Sequence, residues 1–363
     1  MELARRGHEI HFVSYAQPFR LTHIEEGVYF HEVEVNRYPL FEYPPYSLAL
    51  AVTMHEVTRK RGLDLFHVHY AIPHATTGWI AKEMAAAEGI AVKLITTLHG
   101  TDITLVGQDP SYWSITRFSI ERSDGLTAVS EWLRHKTHER FVYPEREIQV
   151  IPNFVDPAVY DRDRYKCHRS WLAPDGEKIV MHISNFRPVK RIPDLIRTFA
   201  RIAERIDARL VLIGDGPDRQ TASELAVELG IEDRLMFLGK LESVAELLSC
   251  ADLFLLPSEQ ESFGLVALEA LASGAPVVGT SGSGLDEVID TGVNGYLHPV
   301  GDTESMADSS IELLTDDQRW RDASEAAKRL ARERFNVDRV VAMYEAYYEE
   351  VLAAASAGTA ATG

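Results

Sequence analysis

The sequence predicts an α/β protein made of two doubly wound, mainly parallel domains. Short apolar runs rich in Val, Ile and Leu alternate with longer amphipathic stretches along almost the whole chain, the pattern of strands joined by crossover helices. The alternation breaks at a proline-bearing polar stretch, from Pro152 and Pro157 to Arg164, and then starts afresh. A chain of 363 residues is long enough for two cores. The domains expected are residues 1–157, residues 158–333, and a closing segment, 334–363, whose helix is expected to return to the first domain.

In chain order, residues 2–6 read as the end of a helix stopped by Gly7, followed by a strand at 9–15. A doubly wound domain normally opens with a strand and a glycine-rich loop before its first helix. The first domain is therefore expected to lack its first strand and that loop, through a late start or a truncation. Further strands are expected at 29–35, 63–70, 92–98, 125–129 and 148–151, with helices at 48–61, 75–88, 112–122 and 131–140. The second series has strands at 178–184, 209–213, 235–238, 251–256 and 276–280, with helices at 193–206, 217–229, 243–248 and from 264. Helices at 303–315, 317–332 and 337–354 close the chain, and the small polar tail SAGTAATG is expected to be disordered. Two such domains facing each other would place a cleft at the carboxyl ends of both sheets, where ligands bind.

The hydrophobic fraction of 45% and charged fraction of 25% are those of an ordinary globular protein. A net charge of −18 argues against nucleic acid as a partner, because phosphate backbones need a basic field. No apolar run is long enough for an integral membrane segment, and no secretory leader pattern is visible. Two cysteines, Cys167 and Cys250, make no disulfide framework, so a reduced, cytoplasmic setting is expected. Composition leaves a homo-oligomer open.

Four groups of residues carry chemistry. The first is PSEQESFGLVALEALASGAP, residues 257–276, with Glu261 and Glu269 in an E-x7-E spacing. Ser262 is expected to cap a helix beginning near Gly264, whose apolar stripe is Leu265, Leu268, Leu271 and Ala272. The open amides of Gly264, Leu265 and Val266 then lie beyond a strand's carboxyl end, a place that binds phosphate. Glu269 follows one turn further on, roughly 5 Å along the axis, the span from a diphosphate to a ribose. Solvated surface glutamates are the competing reading.

The second group is SNFRPVKR, residues 184–191, where Arg187 and Lys190 leave a strand end as candidate partners for a diphosphate. A solvated basic loop is the alternative, and no D-x-D motif suggests a metal. The third is IGDGP with FLGKL, where Gly214, Gly239 and Leu241 are candidate walls for a nucleobase; a lone GxG is weak evidence. The fourth is LHGTD, in which His99 is a candidate contact for a transferred sugar. His67, His69 and His74 cluster nearby, yet lack a carboxylate or cysteine at metal-ligand spacing.

The run SFGLVALEALASGAPVVGT resembles the E-x7-E signature of the retaining glycosyltransferases of GT-B fold, the large family that includes sucrose synthases and mannosyltransferases. The segments ELARRGHEIHFVSY, FHVHYAIPHA, TTLHGTDITLVG, RFSIERSDGLTAVSEWL, VIPNFVD and HISNFRPVKR resemble, more narrowly, a family that transfers N-acetylglucosamine from UDP-GlcNAc to L-malate with retention. That reaction is the first step of bacillithiol assembly and uses no metal. The resemblance spans nearly the whole chain. It implies two facing Rossmann-like domains with an interdomain cleft, the first for the acceptor and the second for the nucleotide sugar. It also implies that Glu269 holds the ribose, Glu261 the sugar hydroxyls, and Arg187 and Lys190 the diphosphate, with His99 beside the sugar. Tyr70, Thr97, Arg117 and Asn153 fall on the acceptor side. Arg187 and Lys190 stand closer together here than is usual in the wider family. Arg117 has two readings: a forked donor for a malate carboxylate, or a surface arginine paired with Glu121 four residues on. The glycine-rich first loop, which that family also uses, is absent.

No carboxylate is placed as a nucleophile, so front-face attack is the expected route to retention. Three alternatives remain at this stage: a GT-B transferase with another acceptor, a UDP-GlcNAc 2-epimerase, and a UDP-sugar-binding protein without turnover.

Overall fold

The computed structural model describes residues 1–18, 21, 25–35, 44–141 and 146–359, with side chains through 354. The chain divides into two compact units, Met1–Pro152 with Asp338–Gly363, and Asn153–Val337.

In the first unit, strands β1 (Ile10–Ser14), β2 (Val28–Glu32), β3 (Leu65–His69), β4 (Lys93–Leu98), β5 (Gly125–Ala128) and β6 (Gln149–Val150) all pair in parallel. They alternate with helices α1 (Glu2–Arg5), α2 (Tyr46–Arg61), α3 (Thr76–Ala87), α4 (Pro110–Arg122) and α5 (Glu131–Phe141). Local chemistry sets their ends. Gly62, at φ 68°, closes α2 in the left-handed conformation and donates to Thr58 O, while Arg59, Lys60 and Arg61 oppose the negative end of the helix dipole. Asp109 caps α4 by accepting from the Ser111 amide, with Pro110 in the first turn.

These strands form two sheets, β1–β2 and β3–β4–β5–β6, rather than one. They share a core nonetheless: Val33, with Val13 packed against it, joins Phe66, Val68 and Leu94 and the helix residues Leu50, Met54 and Ala81. No described ladder joins β1 to β3.

In the second unit, strands β7 (Lys178–Ser184), β8 (Ala208–Gly214), β9 (Leu235–Gly239), β10 (Leu253–Leu256), β11 (Val277–Thr280) and β12 (Gly295–His298) form one parallel sheet in the order β12-β11-β10-β7-β8-β9. The helices are α6 (Arg169–Leu172), α7 (Ile192–Ala203), α8 (Arg219–Glu228), α9 (Ala245–Leu248), α10 (Leu265–Ala272), α11 (Thr303–Thr315) and α12 (Asp317–Arg334). Val180, Leu210, Leu212, Leu253, Leu255 and Val278 from the strands pack with Ile196, Phe199 and Ile202 of α7 and Ile311 and Leu314 of α11. The chain winds outward in both directions from the neighbours β7 and β10. The topological switch point, where doubly wound sheets take ligands, therefore lies between those two strands.

The last helix, α13 (Val337–Thr359), packs on the first unit. The Tyr347 hydroxyl accepts from the Leu126 amide (2.8 Å) and donates to its carbonyl (3.1 Å). A side chain at Gly125 would meet Val351 and the Tyr347 hydroxyl at 2.8 and 2.9 Å, so that helix fits only against a glycine.

Several expectations change. Strand β12 was not foreseen; it is four residues long with little apolar signal. Helix α13 continues to Thr359, into the tail expected to be disordered, and residues 360–363 lie outside the described residues. Cys167 and Cys250, expected to be reduced, form a disulfide with Cα atoms 5.2 Å apart, joining the segment before α6 to the end of α9. Their separation of 83 residues carried no local sign of that contact. Among the described residues, no helix is long and apolar enough to cross a membrane.

Candidate active site

In the second unit Arg187, Lys190, Glu261 and the start of α10 lie in the loops that leave the two strands of the switch point, whereas Gly239 ends the edge strand β9 and Leu241 follows it. The loop after β7 is braced from below by His182, which is buried in that strand. Burial pushes its imidazole down to about 4, so it is neutral at physiological pH. Nδ1–H donates to Leu255 O of β10 (2.8 Å), leaving Nε2 to accept from the Ser184 hydroxyl (2.8 Å). Ser184 Oγ in turn accepts from the Phe186 amide (3.2 Å). This relay holds Phe186 at φ 41°, in the left-handed region.

The IGDGP loop lies against the same backbone. A Cβ on Gly214 would sit 1.8 Å from Ser184 O, and one on Gly216 2.0 Å from Asn185 O. The glycine requirement there is set by close packing on the loop after β7.

Lys190 and Glu261, 71 residues apart in sequence, meet: Nζ lies 2.6 Å from Oε1, with the side chains 18% and 11% exposed. The two loops are also tied through their backbones, Glu259 N–H to Val189 O (2.8 Å), and the loop after β11 joins them, Gly284 N–H to Glu261 O (2.8 Å). Arg187 is exposed at the start of the short turn Pro188–Lys190.

Helix α10 begins at Leu265 with Gly264, φ 87°, in the N-cap position. Ser262 is therefore not the cap expected from the sequence, because the left-handed Gly264 intervenes. The start of α10, with Leu265 and Val266 in its first turn, thus keeps the character of an anion site. Glu269 is buried within this helix and accepts a hydrogen bond from the Tyr160 hydroxyl (2.5 Å). Gly239, φ 69°, ends β9, and Leu241 beyond it is exposed.

The first unit has a second cluster. Tyr70 follows β3 at φ 76° and donates its amide to Thr97 O (2.8 Å), and its ring lies 4.9 Å from that of His99. The buried Asp102 carboxylate binds the loops after β3 and β4 together, accepting from Ala71 N (2.8 Å), Gly100 N (2.9 Å) and His99 N (3.3 Å). Burial raises its pKa against the lowering effect of those amides. His99 Nε2 lies 2.8 Å from His69 Nδ1. Burial, then the neighbouring imidazole, pushes His99 down to about 3; burial, then His74, takes His69 to about 4. Both are neutral at pH 7, one donating and one accepting.

On this side Thr97 differs from expectation, and Arg117 takes one of its two readings. Thr97 is fully buried, its hydroxyl engaged by His67 (2.7 Å) and Thr127 (2.6 Å), so its side chain presents no surface to an acceptor. His67 also meets the Tyr348 hydroxyl (2.7 Å), which makes it an interior link to α13. Of the two readings of Arg117, the surface pair is present: Nε lies 3.4 Å from Glu121, with the guanidinium over Trp113. Asn153 is the first residue of the second unit and is half-buried. His67, His69 and His74 form no metal group; among the described residues no three ligand-type side chains are placed to hold an ion.

The sequence did not single out His182, Asp102 or Tyr160. One signal of the site appears only in three dimensions: among the described residues, Tyr70, Phe186 and Arg191 are the non-glycine residues with positive φ. All three lie in the loops after β3 and β7, as strained backbone at functional sites does.

The second unit thus brings Arg187, Lys190 and the start of α10 to the switch point of a parallel sheet. Residues 1–159 match the family model for Glycosyltransferase Family 4, and residues 163–330 match that for glycosyl transferases group 1. The chain belongs to this glycosyltransferase family and has its GT-B fold.

Among curated relatives it is 50% identical, over 97% of its length and 91% of the relative's, to N-acetyl-alpha-D-glucosaminyl L-malate synthase of Bacillus anthracis. It is 31% identical to D-inositol 3-phosphate glycosyltransferase of Corynebacterium efficiens, over 72% of this chain and 66% of that one. Among solved structures, sucrose-phosphate synthase (tll1590) of Thermosynechococcus elongatus shares the fold at TM-score 0.78 and 22% identity, over 97% of this chain and 91% of that one. Anabaena Alr3699/HepE in complex with UDP does so at TM-score 0.73 and 21% identity, over 94% of this chain and 100% of that one.

Proposed function

We propose that this glycosyltransferase moves N-acetylglucosamine from UDP-GlcNAc to L-malate with retention, in the cytoplasm, as the first step of bacillithiol assembly. The observation that carries the donor side is the Lys190–Glu261 pair at the loop that leads into α10, with buried Glu269 further along the same helix. The 50% identity to the malate synthase supports the choice of sugar and acceptor.

In this reading Lys190, Arg187 and the first amides of α10 take the diphosphate, neutralising the departing charge without a metal. Glu261, oriented by Lys190, accepts from sugar hydroxyls, and Glu269 accepts from the ribose. His99 and Tyr70 serve the sugar and acceptor side. A neutral His99 acts there as a hydrogen-bond partner rather than as an acid. The C1–O bond to the phosphate breaks as malate's hydroxyl oxygen bonds to C1 on the same face, and its proton passes to the leaving phosphate oxygen. The protein's part is positioning and charge stabilisation.

The test is UDP release from UDP-GlcNAc with malate, against inositol phosphate as the competing acceptor. Malate-dependent release supports the reading. Malate-independent formation of UDP-ManNAc would establish the epimerase instead, and UDP binding without release would establish a binding protein.

A further inference from the structure

We propose that Tyr160 is a positioning residue for the nucleotide, presetting Glu269 to receive the ribose hydroxyls. This rests on the reading of Glu269 as the ribose carboxylate. The two side chains are 109 residues apart in sequence and both are almost fully inside the second unit, Tyr160 5% and Glu269 7% exposed. The phenol donates to Glu269 Oε1 at 2.5 Å, the short separation of a charge-assisted bond.

The surroundings say what the bond is for. Glu269 sits on a helix whose neighbours Ala267, Leu268, Ala270 and Leu271 are fully buried. A carboxylate in such a setting is costly without partners, and a flexible glutamate would have to be ordered each time a ligand arrived. A phenol fixes one oxygen without neutralising the charge, which an arginine or lysine would do. The orienting group is therefore of the type a hydroxyl-binding carboxylate needs.

Tyr160 is delivered by a segment anchored independently of it. Val155 N–H donates to Phe335 O (2.9 Å). Arg162 donates Nε to Ser273 O (3.1 Å), at the end of α10, and another nitrogen to Ala251 O. Beyond these, Cys167 is bridged to Cys250, and Arg169 reaches Asp252 (2.6 Å) and Glu177 O (3.0 Å). Tyr160→Phe removes the hydroxyl that reaches Glu269 and leaves these anchors in place.

The experiment is calorimetric binding of UDP and of 2′,3′-dideoxy-UDP to the full chain, for wild type, Tyr160→Phe, Glu269→Ala and the double variant. The ligand without ribose hydroxyls also reports that each variant is folded. Tyr160→Phe should weaken UDP roughly tenfold and leave dideoxy-UDP unchanged. The double variant should be no weaker for UDP than Glu269→Ala alone. In turnover, KM for the nucleotide sugar should rise with kcat nearly unchanged. Equal weakening of both ligands by Tyr160→Phe would mean a merely structural tyrosine and overturn the proposal. So would a Tyr160→Phe of wild-type UDP affinity beside a weakened Glu269→Ala, although the ribose reading would survive. Wild-type UDP affinity in Glu269→Ala would remove the ribose reading itself, and the proposal with it.

Discussion

At the scale of single residues, the proposed donor site rests on groups that sequence spacing shows and on partners that it hides. Lys190 and Glu261 were both singled out, yet their 2.6 Å contact is a fact of the fold. If Lys190 stabilises the leaving diphosphate, Lys190→Ala should lower kcat on the order of a hundredfold, measured as initial rate of UDP release. A rate within a few-fold of wild type would place the diphosphate elsewhere. His182 makes a separate prediction. Its folded pKa, about 4, lies below its ordinary value, so between those values the unfolded chain holds more protons than the folded one. Its stabilisation is complete above the ordinary histidine range and is lost as pH falls toward 4. Across that window it contributes on the order of 3 kcal/mol. The thermal midpoint should therefore fall from pH 7 to pH 5, and His182→Gln should flatten part of that fall. An equal fall in both proteins would show that His182 does not titrate in this window.

At the scale of elements, the loops after β7, β8 and β10 work as one unit. Gly214 is held at φ 118° and has no room for a Cβ beside Ser184 O. Gly214→Ala should cost at least about 2 kcal/mol of stability and weaken UDP binding together with it. Unchanged denaturant unfolding would mean that the loops are less tightly joined. The strands and helices were largely legible because hydrophobic periodicity is a local property. The E-x7-E helix was legible because its residues are neighbours in sequence. The N-cap was misread: Ser262 has the right chemistry, but the left-handed Gly264 stands between it and the helix. Tyr160 and His182 escaped notice because their partners lie 109 and 73 residues away. Thr97 and Arg117 matched family segments, but burial and a neighbouring glutamate decide what their side chains touch.

At the scale of the whole molecule, the two units differ in how their sheets are built. The second is a single six-stranded sheet, whereas the first divides its strands between a two-stranded and a four-stranded sheet. The last helix ties the chain's end to the first unit through Tyr347 and Tyr348. The reaction is tested most directly on its products. The protein, UDP-GlcNAc and L-malate are incubated together, and proton NMR follows the anomeric signal while UDP is quantified. The account predicts UDP and a malate glycoside in equal amounts, with the α configuration of the donor kept. A β-linked product, or no malate-dependent product from folded protein, would contradict it.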